Sequence, residues 1–419
     1  MDRPLLRRIL LSAFLFDGSF YVVGTVVPLA AVALGASAFE LGLMPVLGSG
    51  SYVLAALLGG HLADCWPRLT MARIGAVLRA GVTLLLLTAH STGHLLAVLP
   101  LFGLVNGLFW PGIQAALPGL AGPRELAGLI GRFNVSWSAG KMLGFALGGI
   151  LVDRLGYGVP ICIAAFAGGV PAVILPRDRI NVARGLSSPE RDGEVGGGRS
   201  IELDGSTPTG STRAVPTPAG STSAGSRPGA MTAATWRRIG WTSNFLLFGV
   251  GATLNYHYPK LLDALGFGGT EFGIFLGIVY LVQTAAFLLF GRWGGWHYRA
   301  SWLLGAQGLV AGALLILPVL REAWAIWSLA PAIGLGLGMA YSSSLFYSLL
   351  GPGGHGRSTG LHEAILASGS FLLPFLGGLA VRASGNLLLP YLLAATVVVL
   401  GIFLQGAWLR GLRRRQQLT

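Results

Sequence analysis

"ALGASAFELG", residues 33–42, and "ALGFGGTEFG", residues 264–273, are two copies of one stretch set 231 residues apart, so that Glu40 pairs with Glu271. Working outward, Pro28 pairs with Pro259 at the same offset, and Gly103 and Gly107 pair with Gly334 and Gly338. Further along, "GKMLGFALGG" from Gly140 matches "GSFLLPFLGG" from Gly369 with the offset at 229. One register held across loops of varied length is not chance similarity among apolar helices. The chain is two copies of one unit.

Each unit is built for lipid. Of 419 residues, 53% are hydrophobic and 11% charged, and the mean hydropathy is +0.68, which leaves too much apolar surface for a water-soluble protein. Stretches such as 9–31, 95–117 and 387–409 exceed the ~20 residues that carry a helix across a bilayer. Apolar runs number six up to about Leu175 and six more after a polar stretch. The expected fold is therefore an all-α integral membrane protein of twelve transmembrane helices in two pseudo-symmetric six-helix bundles. Residues 1–176 form the N-terminal bundle, 177–235 a disordered cytoplasmic linker, 236–409 the C-terminal bundle and 410–419 a basic cytoplasmic tail. The linker reads "GSTPTGSTRAVPTPAGSTSAGSRPGA" at its centre, too poor in apolar side chains to bury a core.

The net charge of +13 follows topology rather than a nucleic-acid partner. Of the 29 bases, the expected external loops hold only Arg154, Lys260, Arg321 and Arg382, and the positive-inside rule places both termini in the cytoplasm. Cys65 and Cys162 have neither disulfide-framework nor metal-ligand spacing. MDRPLLRR leads straight into a long span with no small-residue cleavage pattern, so the first helix is read as retained. No phosphate-binding glycine loop, zinc-ligand cluster or nucleophile elbow is present, so no enzyme, cofactor or metal is expected.

Between the second and third spans stands "GGHLADCWPR", residues 59–68. At the 231 offset its Gly60, Asp64 and Arg68 fall on Gly291, Gly295 and Arg299. This turn resembles the signature of the major facilitator superfamily: Gly60, Leu62, Ala63, Asp64 and Arg68 match, whereas Cys65 replaces a base and Pro67 a glycine. The resemblance implies alternating access about a site near the membrane midplane. It also implies a gating latch made by Gly60, Asp64, Arg68 and Arg299, in which an acid and a base near helix ends make and break charged contacts; the plainer alternative is a turn that these residues merely anchor. Two further family motifs are incomplete. Leu99 stands where proton-coupled members carry an arginine, which rules out coupling through that residue. Gly144-Phe145 stands where antiporters carry Gly-Pro, the proline appearing instead as Pro374.

An ionisable residue inside a span is costly, about 3 kcal/mol on insertion scales, and so marks a candidate site. Asp17 lies nine residues after Arg8, near the midplane, and its partner in the second copy is Phe248, so the shared fold does not require the acid. Glu363 takes the position of Asn134 at the 229 offset. Asp17 and Glu363 are the proton-coupling candidates, with Lys141 a candidate ion-pair partner for Asp17; His362 and Arg79 are read as less functional, Arg79 as a structural or snorkelling base. Asn134, Trp137 and Lys141 share one helix face. Since the first, fourth, seventh and tenth helices line the cavity in the family, the substrate-binding candidates also include Asn106, Trp110 and Gln114, Asn255 and Tyr256, Tyr341 and Ser344, together with Gln283 in the eighth.

The function expected is secondary active transport of a small organic solute across the cytoplasmic membrane, proton-coupled, with efflux of a partly apolar, cationic compound preferred. Uptake of a sugar or other metabolite is one alternative, and a receptor or scaffold that keeps the fold without transport is another. Partners expected are membrane lipid, the solute and protons, the protein acting as a monomer without nucleic acid.

Overall fold

The computed structural model describes residues 3–120, 126–177, 230–349 and 355–417, and among them every long element is α-helical. The first half comprises α1 (Arg3–Ala33), α2 (Ala38–Cys65), α3 (Arg68–Leu85), α4 (Thr92–Ala116), α5 (Leu126–Leu155), α6 (Gly158–Gly169) and the single turn α7 (Pro171–Ile174). The second comprises α8 (Ala230–Ala264), α9 (Gly269–Arg292), α10 (Ala300–Ile316), α11 (Ala323–Leu349), α12 (His355–Ser384) and α13 (Leu389–Gln417).

Ten of the described helical stretches are long and apolar enough to cross a bilayer, and two crossings depart from that pattern for local reasons. The sixth is broken into α6 and α7, with Pro171 opening the second piece, where its missing N–H costs nothing. The seventh, α8, is 35 residues long but carries Arg237, Arg238, Asn244, Asn255, His257 and Lys260, which dilute its apolar content. Large apolar side chains left exposed, among them Phe166 at 78% and Val173 at 85%, face the space that lipid fills. Two expected boundaries shift: α8 begins at Ala230, inside the stretch read as linker, and α13 runs on as helix through Arg413, Arg414 and Arg415. The remaining linker positions, 178–229, lie outside the described residues.

The repeat read from the sequence is a repeat of packing. Gly35 and Gly266, 231 apart, both take φ +81° in the turns that follow α1 and α8, a left-handed backbone that glycine adopts without strain. A Cβ added at Gly140 of α5 would stand 3.0 Å from the Gly18 nitrogen on α1, and one at Gly369 of α12 would stand 3.0 Å from Phe245 Cα on α8. Likewise Gly107 of α4 admits Ala55 of α2, and Gly338 of α11 admits Ala286 of α9. In lipid, where no hydrophobic force drives helices together, small residues that let backbones approach supply the dispersion contacts that hold a bundle.

The second half also contains a buried polar knot that the apolar pattern does not reveal. Gln307 of α10 and Gln405 of α13 exchange amide hydrogen bonds at 2.9 and 3.1 Å. Ser243 of α8 donates to Gln405 Oε1 at 3.0 Å and accepts from Gln307 Nε2 at 3.1 Å. Each of the three is fully buried. Gln405→Leu would leave the Gln307 amide and the Ser243 hydroxyl without these partners, and we expect it to lower stability by about 1–3 kcal/mol. Thermal unfolding in detergent measures this; the double variant Gln307→Leu/Gln405→Leu should recover part of the loss, because no orphaned amide remains.

Candidate functional site

A cavity of about 280 Å³ lies between the two halves, walled by α1, α2, α4, α5, α8, α9, α11 and α12. Ten of the residues singled out from the sequence line it: Asp17, Asn106, Trp110, Gln114, Trp137, Lys141, Asn255, Tyr256, Tyr341 and Glu363. Positions paired by the repeat both line it. Asp17 answers to Phe248, Asn106 to Leu337, Trp110 to Tyr341 and Lys141 to Ser370, and all eight are lining residues. The two copies thus supply one pocket with different chemistry.

Three candidates do not line it. Gln283 is buried in α9 against the Gly338 notch of α11. Ser344 is 2.7 Å from His362 Nδ1 and fully buried. Asn134 accepts a hydrogen bond from Trp137 Nε1 at 3.1 Å, which orients the indole at the cavity wall. Of the proposed latch, the Gly60 and Asp64 positions belong to α2, but the Asp64 side chain falls outside the described residues. Arg68 opens α3 and Arg299 caps α10, both exposed. Beside Arg299, His297 stacks on Phe346 at 4.0 Å, and burial holds its imidazole below its ordinary pKa.

The charges at the cavity do not form simple ion pairs. Asp17 is 5% exposed, and its Oδ2 has no hydrogen-bond partner among the described residues. Lys141, expected as its partner, acts on it through space but stands over aromatic rings, 4.0 Å from the centre of Tyr280 and 4.4 Å from that of Tyr21. Arg79 of α3, read from sequence as structural or snorkelling, is fully buried, donates to Asn106 Oδ1 at 2.9 Å and lies over Phe16, Phe20 and Phe102. It positions Asn106 and adds a second positive charge behind Asp17. Glu363 completes the set from α12.

At the ends of the helices read as external, the halves pack closely against each other. Gly149 of α5 meets Gly269 and Gly273 of α9, and Gly42 of α2 meets Pro374 and Gly378 of α12, so closely that Gly149, Gly273, Gly42 and Gly378 have no room for a Cβ. Charged caps join them. In α2 the first turn is capped within its own half, by Ser37 and Glu40 in a reciprocal box. In the repeat the serine position is Gly268, whose N–H still reaches Glu271 Oε2 at 3.0 Å but which has no side chain to return the bond. Asp153 from the other half supplies the missing acceptor, taking the Gly269 and Thr270 N–H groups at 2.9 and 2.6 Å. Lys260 adds a second tie, donating to the Ala36 carbonyl at 2.6 Å.

The Major Facilitator Superfamily model matches residues 9–353, most of the chain and both halves. The chain belongs to that superfamily. It is a non-enzymatic, multi-pass membrane protein of a transporter family, in which a central cavity closed on one side is one stage of alternating access. Solved structures that share the fold include three transporters. A bacterial homologue of the human lysosomal transporter Spinster, inward-facing and occupied, aligns with a TM-score of 0.67 at 13% identity over 98% of each chain. The nucleoside transporter NupG aligns at 0.66 and 11% identity, and the human organic anion transporter MFSD10 at 0.58 and 15%, each covering 96% of this chain and 99% of its own. At such identities the likeness is one of fold. No curated protein sequence matches the chain.

Proposed function

We propose that this superfamily member moves a small organic solute across the cytoplasmic membrane by alternating access, coupled to protons through Asp17 and Glu363. The observation that carries the reading is that both acids line one cavity between the halves, with Asp17 Oδ2 unpartnered among the described residues. A carboxylate kept in such a place, where burial without a partner is costly, earns its position when it gains and loses a proton during the cycle. The rings of Trp110, Trp137, Tyr256 and Tyr341 line the same space and suit an apolar body, and the volume lies near the small end of solute sites.

The preference for efflux read from the sequence rested on the aromatic lining and on Asp17 as a match for a cationic solute. Lys141 in the same cavity removes the second reason, so direction is left to measurement. Purified protein in proteoliposomes, given an imposed pH gradient and a panel of labelled sugars, nucleosides, organic acids and lipophilic cations, provides it. The proposal expects at least one solute to accumulate only while the gradient lasts. Equilibration at the same rate with the gradient collapsed contradicts proton coupling, and the absence of any solute movement across the panel favours the scaffold alternative.

A further inference from the structure

Lys141 is an ammonium without a hydrogen-bond acceptor among the described residues. It is 5% exposed and lines the cavity from α5, yet among the described residues it makes no hydrogen bond. Its surroundings are ring faces: Tyr280 of α9 at 4.0 Å, Tyr21 of α1 at 4.4 Å and Phe248 of α8 at 5.9 Å. Ring faces attract a cation but do not replace the acceptors that its three N–H groups had in water. Asp17 acts on it without bonding to it. The rings come from both halves, so the ammonium sits where the two meet.

We propose that Lys141 is the docking point for a carboxylate of the transported solute, whose apolar body lies among the rings that surround the ammonium. This deepens the transport reading above and rests on it. A carboxylate supplies the missing acceptors at the only cation among the described lining residues, in the low dielectric where such a bond is strong. Charge balance then links solute to proton. Arg79 from α3, Tyr21 from α1 and Tyr52 from α2 face Asp17, Tyr21 and Tyr280 of α9 face Lys141, and Tyr256 of α8 stands near Tyr21 and Glu363 of α12 near Tyr52. With the two acids ionised, they balance Lys141 and Arg79. An incoming carboxylate adds one negative charge, and a proton taken up by Asp17 removes one. Proton and carboxylate therefore favour each other's binding, reciprocally, and cross together. A cationic solute would have the opposite linkage and compete with the proton.

The test is ligand-induced stabilisation of the purified full chain by three aromatic acids, 3-phenylpropionate, benzoate and indole-3-acetate, each beside its neutral amide and its amine counterpart. We expect an acid to bind at least about tenfold more tightly than its amide, and more tightly at about pH 6 than at about pH 8. Lys141→Met should abolish the preference of acid over amide, while Lys141→Arg, which keeps the charge and controls for folding, should retain it. Equal binding of acid and amide, preference for the amine, survival of the preference in Lys141→Met, or no binding by any of the acids would overturn the proposal. Failure of proton coupling looks different: acid preference intact but independent of pH in the unaltered protein. Asp17→Asn should produce that same pattern.

Discussion

Asp17→Asn should abolish proton-driven accumulation while leaving exchange of solute for solute in place. The asparagine fills the same volume and keeps a polar group toward the cavity, so the fold and the solute site persist. What it loses is the ability to carry a proton between the two faces. For one coupled proton, a pH difference of one unit supplies about 1.4 kcal/mol, enough to hold a solute ratio of about ten. The variant should hold a ratio of about one under the same gradient. An unaltered protein that reaches about a hundredfold, with Asp17→Asn and Glu363→Gln each still holding about tenfold, would instead show two coupled protons, one on each acid. Steady-state solute ratios in proteoliposomes at imposed pH differences measure both the loss and the number of protons. An Asp17→Asn protein that accumulates as well as the original would place Asp17 in structure alone.

The second large effect concerns the external seal. Gly149→Leu should leave the protein unable to close on that side and stop net transport. A Cβ on Gly149 would stand 2.9 Å from Gly273 Cα and 2.8 Å from the Gly269 carbonyl carbon, both backbone atoms of a packed helix, so α5 and α9 must separate to admit any side chain. Overpacking of this kind costs about 1–3 kcal/mol, which shifts a two-state equilibrium by up to about a hundredfold. Asp153→Ala removes only the cap on α9 and should shift the same balance more weakly, by about 1 kcal/mol. Val27→Cys, on the cavity wall, reports the shift in a background with Cys65 and Cys162 replaced by serine. Labelling from outside by an impermeant thiol reagent should be fastest in Gly149→Leu, intermediate in Asp153→Ala and slowest in the parent. Equal labelling in all three would show that these contacts do not seal the external face.

Much of this was legible in the chain because membrane helices have few ways to satisfy their chemistry. The 231-residue register survives as repeated turn geometry at Gly35 and Gly266 and as repeated notches at Gly107 and Gly338. Ten candidate residues fall on one cavity because polar groups on spans have almost nowhere else to face. What stayed hidden depends on neighbours far away in sequence. Nothing near Arg79 announces that it meets Asn106 and three phenylalanine rings from α1 and α4. Gln283 and Gln307 look alike as amides in apolar helices, yet neither faces the cavity and Gln307 belongs to a three-helix knot. The Asp153 cap has a trace in retrospect, the glycine at 268 where the first copy has Ser37. A missing cap tells the reader that an acceptor is needed, not which residue brings it.

The central claim is that solute binding and proton binding meet in one cavity. The most direct measurement is the proton count on solute binding, read with a pH-sensitive dye in weakly buffered detergent solution when a saturating solute found in the transport panel is added. The account predicts a change of close to one proton per protein at near-neutral pH that disappears in Asp17→Asn with binding retained. Solute binding with no proton taken up or released, at any pH between about 5 and 8 where buried acids and histidines titrate, would contradict it.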